Sequence, residues 1–360
     1  MRRIWLHLHW ASGPPAFCLA VVADMKQLRA ALTKVLGTCH QVRSSISHVL
    51  GAAIDLPHGL PASSANLGPA FDAAALALDL ALGIRARKAE RFSIVARGRD
   101  SEICGQIENH LILSTYQEVL RTEKKNAPPL ALAIENEFPI GKGFGSSAAA
   151  RLAGIALAVH FGNLRWDSPR IIYEASIREH HPDNAAACWM GGVTAARMAR
   201  PPARMADVAR ILPRGSWPLM LAVPDVSLST EKARAVLPEQ YSRGDAVANI
   251  QNAMLLLAAL FQGNHGLLQS SLEDRMHQPY RARLCPLLPA LEGLSSRDGV
   301  LGVALSGAGP SVLVFLDPTR SLARTQAKIE ARVRERGLKA ELIQTRIARR
   351  GAAASFFEER

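Results

Sequence analysis

Gly141, Gly143 and Gly145 recur at alternate positions and are followed at once by Ser146-Ser147 and an alanine-rich stretch to His160. Glycine accepts the positive-φ backbone that other residues resist, and the alanine-rich stretch has helical character, so the run predicts a tight turn opening directly on a helix N-terminus. A helix start presents unpaired N–H groups and about half a positive charge. The segment Pro139, Ile140, Gly141, Lys142, Gly143, Phe144, Gly145, Ser146, Ser147, Ala148, Ala149 therefore suits a phosphate cradle, with a serine hydroxyl in reach of a magnesium ion. Two commoner glycine motifs do not match. A P-loop needs Gly-Lys followed by Ser or Thr, but Gly143 follows Lys142; a dinucleotide fingerprint needs glycine where Ser146 stands. Taken alone, the run also fits a strand-to-helix turn that holds no ligand.

The surroundings of this turn read as mixed helix and sheet. Arg91 to Ala96 alternates like a strand, Asn109 to Arg121 has helical spacing, and Leu130 to Ile134 is a short apolar strand before the turn. Arg121 to Pro129 reads as an exposed loop. Ser168 to Glu179 is a second helix, with Ser168 as N-cap and Pro169 at its first position. Four prolines between Arg200 and Pro218 mark a change of character, and a domain boundary is expected there. Beyond it come a strand at Leu219 to Val223 and a helix at Asp245 to Gln262 whose apolar face is Val247, Ile250, Met254, Leu257 and Phe261. Two strands flank the turn Ser306-Gly-Ala-Gly-Pro310, then a basic helix stops at Gly337 and a last strand spans Leu338 to Ile347. That order predicts an α+β second domain with helices on one face of a sheet. At roughly 100–200 residues per domain, 360 residues predict two domains. The expected division is 1–50 as an N-terminal extension, 51–210 and 211–350 as domains, and 351–360 as a tail.

Several polar segments outside the glycine run could carry chemistry. Pro61-Ala-Ser-Ser-Ala-Asn-Leu-Gly-Pro-Ala-Phe-Asp72 sets Asn66 and Asp72 among small residues, where a carboxylate could meet an ammonium group; it equally suits an Asx-type turn before a helix. Glu179-His-His-Pro-Asp-Asn184 offers Asp183 to a metal or substrate and Asn184 to a hydroxyl. Its adjacent histidines point apart and lack a suitably spaced third ligand, which argues against zinc. Ser229 to Arg234 and His277 to Arg281 each end in arginine, and two arginines can clamp a carboxylate; surface charge is the plainer reading of each.

The formal net charge of +12 favours anionic partners. The charge forms no tract with interleaved aromatics, and aromatics are only 5%, so a stacking surface for single-stranded nucleic acid lacks support. Cys18, Cys39, Cys104, Cys188 and Cys285 are scattered and odd in number, which fits reduced thiols in a cytoplasmic protein better than a disulfide framework or structural zinc. No apolar run reaches 18 residues, the length of a membrane span. Near the N-terminus, Ala16 to Ala23 is apolar, but Trp5, His7, His9, Trp10 and two prolines interrupt an export-signal pattern. An upstream extension, or a start codon assigned too early, is the reading preferred for this region; a helix-like pattern opens at Met25.

Together these segments resemble the GHMP kinases: Pro61 to Asp72, Gly143-Phe-Gly-Ser-Ser-Ala-Ala149, His181-Pro-Asp-Asn184, Leu228-Ser-Thr-Glu-Lys-Ala-Arg-Ala-Val-Leu-Pro238 and Ser306-Gly-Ala-Gly-Pro-Ser311. The similarity spans about residues 57 to 348. It implies a two-domain α+β architecture, with an N-terminal domain like ribosomal protein S5 domain 2 and a ferredoxin-like C-terminal α/β sandwich. Within the superfamily the motifs look like those of the members that pass the γ-phosphoryl group of ATP to the side-chain hydroxyl of L-homoserine, a step towards threonine. That resemblance implies ATP phosphates on Pro139 to Ala149 and magnesium on Ser147 and Glu179. It implies the substrate ammonium by Asp72 and Asn66, its carboxylate by Arg234, Arg281 and His181, its hydroxyl on Asn184, with Asp183 in the same pocket. Ser306, Gly307 and Gly309 would form a supporting loop. It also implies a small-molecule partner rather than nucleic acid or membrane, and allows a homodimer. Three departures stand out: Ala70 replaces a usual glycine, Phe144 a usual leucine beside the phosphates, and Ile177 one of two usual acids. Glu179 is accordingly preferred over Glu174 for magnesium. Other kinases of the superfamily, acting on sugars or mevalonate-type alcohols, and a non-catalytic binding protein on the same scaffold are the alternatives.

Overall fold

A computed structural model describes residues 53–200 and 202–358. The expectations for the N-terminal extension, including the helix-like pattern from Met25, lie outside the described residues.

Among the described residues, ten strands form two sheets. The first sheet uses β1 (Ala53–Ala65), β2 (Ala74–Lys88), β3 (Ser93–Gly98), β4 (Leu130–Asn136), β5 (Val193–Met198) and β6 (Ala206–Ile211). Their order is β3-β4-β2-β5-β6, with β1 also on β2; only the β3–β4 pair is parallel. Against it pack α1 (Leu111–Thr122), α2 (Ser146–Phe161), α3 (Ser168–Glu179) and α4 (Asp183–Met190). Helix α2 is buried nearly all round, which small alanines permit: Gly154 lies so close to α1 that a Cβ there would sit 2.5 Å from the Ile112 carbonyl oxygen.

The second sheet runs β10-β7-β9-β8, all antiparallel, from β7 (Pro218–Val223), β8 (Val300–Leu305), β9 (Val312–Leu316) and β10 (Glu341–Arg346). Fourth-first-third-second order is ferredoxin-like, as expected. Period-two geometry explains why β7 and β9 read as unbroken apolar runs. Leu219, Leu221, Val223, Leu313 and Phe315 face the core shared with the first sheet, while Met220, Ala222, Val312, Val314 and Leu316 face a second core. Ile329 and Val333 of α8 (Leu322–Glu335) close that second core. Between β7 and β8 lie three helices that matter for the site: α5 (Thr230–Ala235), α6 (Arg243–Gln262) and the short α7 (Gln278–Arg281).

Several local expectations change. Asp167, not Ser168, caps α3: its side chain accepts from the Arg170 N–H, and Ser168 is already helical. Pro61 to Ala65 end β1, and the turn through Asp72 leads on to β2 rather than into a helix. Within 200–218 lies β6, paired with β5 in the first sheet, and the second sheet starts at β7. Residues written off as a tail form α9 (Ala352–Glu358), whose buried Phe356 packs on Trp189 of α4 at 5.3 Å between ring centroids. The largest change concerns α6. Its expected core face is exposed, with Val247 at 47%, Ile250 at 62%, Met254 at 66% and Phe261 at 54%. Asn249, Leu256, Ala259 and Leu260 are buried instead. From Ala246 to Gln262 this helix carries no charge, so its sequence pattern does not decide which side turns inward.

Candidate active site

The glycine turn joins β4 to α2 and is tied down before it begins. The Asn136 side-chain amide donates to the carbonyls of Arg99 and Phe138, and the Asp100 carboxylate accepts from the Ile140 N–H at 2.8 Å. Gly141, Gly143 and Gly145 all have positive φ, at 71°, 86° and 66°. Space as well as φ demands glycine at two of them. A Cβ at Gly143 would lie 2.3 Å from the Ser306 carbonyl oxygen; one at Gly145 would lie 2.1 Å from Ser63 Oγ. Gly145 is the N-cap of α2 and offers no side chain, which leaves the first amides of the helix unsatisfied by any cap. Phe144 does not crowd a ligand on this turn. Its ring is fully buried and stacks on Phe138, 6.3 Å away and nearly parallel, so the side chain points into the core while its backbone stays in the turn. Lys142 reaches across to donate to the Pro224 carbonyl at 2.9 Å.

Serines weld this turn to its neighbours. Ser306 Oγ donates to the Gly143 carbonyl at 2.6 Å and lies 2.9 Å from Ser64 Oγ. The Ser63 N–H donates to the Phe144 carbonyl, and Ser63 Oγ donates to Asn184 Oδ1 at 2.8 Å. The Gly307 N–H donates to the Ala65 carbonyl, and Asn66 Nδ2 donates to the Gly307 carbonyl. The loop of Ser306, Gly307 and Gly309 thus binds the glycine turn and the Pro61–Asp72 segment into one unit.

Glu179 ends α3 beside the start of α2. Its Oε1 accepts from Ser147 Oγ at 2.6 Å and from Arg151 Nε at 2.5 Å. Glu174 is differently placed: Arg170 and Arg178 hold its two oxygens at 2.7 and 2.9 Å. A hydroxyl next to a carboxylate gives the hard oxygen donors that magnesium takes. Ser147 and Glu179 fit that ion, whereas Glu174 is committed to its arginines.

The remaining polar residues converge on the far side of the serine weld. Asn66 and Asp72 both adopt positive φ, at 70° and 54°, and Asn66 Oδ1 accepts from the Asp72 N–H. Asn66 is therefore the internal brace of this turn. Asp72 meets Arg234 at 2.7 Å. The His181 ring contacts Asp183 Oδ1 at 2.6 Å through Nδ1, and the same oxygen accepts from the Asn184 N–H. Burial works against charge on His181, yet the hydrogen bond and charge of Asp183, with Asp72 and Glu179 nearby, outweigh it and hold the imidazole above its ordinary value. Ligand atoms of Asp72, His181 and Asp183 lie within 4.8 Å of one another.

Arg281 sits in the floor, 1% exposed. Its Nε donates to the Ala233 carbonyl at 3.0 Å and its guanidinium meets His277 Nδ1 at 3.1 Å. His277 Nε2 lies 2.8 Å from the Gly68 carbonyl and so carries the proton there. Burial pushes His277 down to about 4 and Arg281 down to about 10. The Asp274 carboxylate accepts from the N–H groups of Met276, His277 and Gln278, fixing the start of α7. Phe71, Asp274 and His277 were not among the expected site residues. The four-residue spacing of His277 and Arg281 was the available signal, since it stacks both on one helix face.

Every sequence-derived site segment therefore lies in this one neighbourhood. Comparison with known proteins gives the family of the chain. The family descriptions that match are the GHMP kinases N-terminal domain at residues 110–192 and the GHMP kinases C-terminal domain at residues 256–335. A homoserine kinase of Solibacter usitatus is 45% identical over 294 residues, covering 81% of this chain and 94% of that one. A homoserine kinase of Deinococcus radiodurans is 36% identical over 263 residues, covering 73% and 85%. Among solved structures, the crystal structure of homoserine kinase from Cytophaga hutchinsonii matches with TM-score 0.67 at 22% identity over 83% of this chain and 95% of that one. A putative homoserine kinase from Listeria monocytogenes matches with TM-score 0.64 at 25% identity, over 81% and 95%.

Proposed function

The chain belongs to the homoserine kinases of the GHMP superfamily, and on that premise we propose how the site described above performs the reaction. The enzyme transfers the γ-phosphoryl group of ATP to the side-chain hydroxyl of L-homoserine, giving O-phospho-L-homoserine on the route to threonine. The observation that carries the assignment of roles is the Asp72–Arg234 pair beside buried Arg281. An amino acid is a zwitterion. Its ammonium group replaces Arg234 on Asp72, and its carboxylate replaces Asp72 on Arg234, with Arg281 and His181 adjoining. Neither charge in the pocket is left unpaired before or after.

The amides at the start of α2 and the glycine turn take the ATP phosphates. Ser147 and Glu179 would hold magnesium, which would supply charge neutralisation at the phosphates. Asn184, fixed by Ser63, orients the substrate hydroxyl next to the turn. Asp183 is occupied by His181 and the Asn184 N–H, which makes it an organiser of the pocket. Rate then comes from in-line positioning and charge stabilisation more than from a dedicated base.

A coupled ADP-release assay over L-homoserine, mevalonate and galactose tests this reading. L-homoserine is expected to give kcat/KM at least about a hundredfold above the others, the discrimination that buried polar contacts supply. Faster turnover of another alcohol, or tight ATP binding without turnover of any, overturns it.

The working compartment follows from ATP and thiol chemistry. Cys104, Cys188 and Cys285 are buried and unpaired, which suits the reducing cytoplasm. A second copy of the chain covers the exposed stripe of α6 in this reading. The stripe runs the length of a helix free of charge beyond Asp245, so a two-fold axis lays it on itself without placing like charges together. Met254→Asp is expected to convert a dimer to a monomer by light scattering with fold retained; a monomeric unmodified enzyme refutes the pairing.

A further inference from the structure

The carboxylate site needs two guanidinium groups close together, and like charges resist that. Arg234 acts on Arg281 in that sense, lowering its proton affinity. The two come from different helices, α5 and α7. Both approach the ring of Phe71. The Arg234 guanidinium carbon lies 5.4 Å from its centroid and that of Arg281 lies 5.3 Å away. The His277 ring stacks on the same phenyl group, 5.2 Å away and 25° from parallel. An aromatic face carries partial negative charge and attracts a cation within about 6 Å. One ring thus draws in both guanidinium groups and offsets part of their repulsion.

The neighbours of Phe71 keep it in that place. His277 is neutral and fully buried, anchored through the Gly68 carbonyl to the turn that carries Phe71. Arg281 in turn donates to the carbonyl of Ala233, the residue before Arg234, so the helix bearing one arginine is fastened to the other. Phe71 itself is only half-buried, unlike a residue whose role is to fill the core. It also directly precedes Asp72, the proposed ammonium partner.

We propose that Phe71 is a positioning residue for the substrate carboxylate, its ring, backed by the His277 imidazole, holding Arg234 and Arg281 near enough to share that group. The role rests on the carboxylate assignment made above. A leucine fills similar space but has no aromatic face; a tyrosine keeps it.

The test is steady-state kinetics of Phe71→Leu and Phe71→Tyr in the full chain. Phe71→Leu is expected to raise the KM for L-homoserine about tenfold, the loss of two cation–aromatic contacts, with kcat and the KM for ATP within about twofold of the unmodified enzyme. Phe71→Tyr is expected to restore the homoserine KM to within about twofold. An unchanged homoserine KM in Phe71→Leu overturns the proposal. So does an equal rise in both variants, or a parallel rise in the KM for ATP, each of which marks a general structural role. The two assignments fail separately. If Arg234→Ala and Arg281→Ala leave the homoserine KM unmoved, the carboxylate site is wrong; if they raise it while Phe71→Leu does not, only the role of Phe71 is lost.

Discussion

Replacing Arg281 by alanine raises the KM for L-homoserine about a hundredfold and leaves the KM for ATP within about twofold. The size follows from burial. A charge-assisted hydrogen bond is worth roughly 1.5–3 kcal/mol, or about ten- to a hundred-and-fifty-fold in binding. At 1% exposure, solvent gives Arg281 little screening, so the upper end of that range applies. Arg234 has 36% of its side chain exposed, and Arg234→Ala is expected to cost about tenfold, because water competes more effectively there. Arg281→Lys stays impaired, since an ammonium group cannot reach the Ala233 carbonyl and His277 together with a substrate carboxylate. Thermal unfolding of each variant separates a weakened fold from a weakened site. Homoserine KM values unmoved in both alanine variants refute the carboxylate assignment.

The second large effect concerns the glycine turn. Gly143→Ala lowers kcat at least about a hundredfold, whereas Gly141→Ala lowers it about fivefold or less. Both positions have positive φ, and that conformation alone costs an alanine about 1 kcal/mol. The difference is space. The nearest atom to a Cβ at Gly141 is Ser227 Cβ at 3.9 Å; at Gly143 it is a backbone oxygen at 2.3 Å. That oxygen belongs to Ser306, whose side chain also holds the Gly143 carbonyl. A methyl group there drives apart the two loops that set the phosphates against the substrate pocket, and a displacement of about 1 Å in such a site costs roughly a hundredfold. Equal losses in the two variants would mean that φ, rather than the contact with Ser306, governs the turn.

The parts of the site that could be read from sequence are those where local geometry forces residue choice. Alternate glycines before an alanine-rich helix leave the backbone few options, and Ser306 to Ser311 reads correctly as a turn between strands because glycine and proline punctuate it. The parts that could not be read depend on partners distant in the chain. The His277 imidazole meets the Gly68 carbonyl across 209 positions, and no local pattern announces that contact. The direction of the Phe144 ring, into the core against Phe138, is likewise set by a residue outside the motif. Helix α6 shows a third kind of failure. Its apolar residues surround it on all sides, so periodicity alone could not tell which stripe meets the protein and which stays outside. Position in the sequence favours Glu179 over Glu174 only weakly; the structure separates them more sharply, with arginines on both oxygens of Glu174 and the Ser147 hydroxyl on Glu179 beside Arg151.

The last helix bears on how this chain acquires its structure. Ala352–Glu358 packs against β1, the first described strand, and buries Phe356 beside Trp189. The approach to it is stitched in as well: the Ala348 N–H donates to the Ala77 carbonyl, and the Gly192 N–H donates to the Ala348 carbonyl. A ribosome releases its product from the N-terminal end, so the first sheet emerges long before the segment that completes it. During synthesis that sheet waits, with Trp189 uncovered, until Ala352–Glu358 clears the exit tunnel. Contacts of such long sequence separation slow folding and prolong the exposure of apolar surface. The two modules are therefore not independent folding units in succession: the order of translation makes the N-terminal one the last to close.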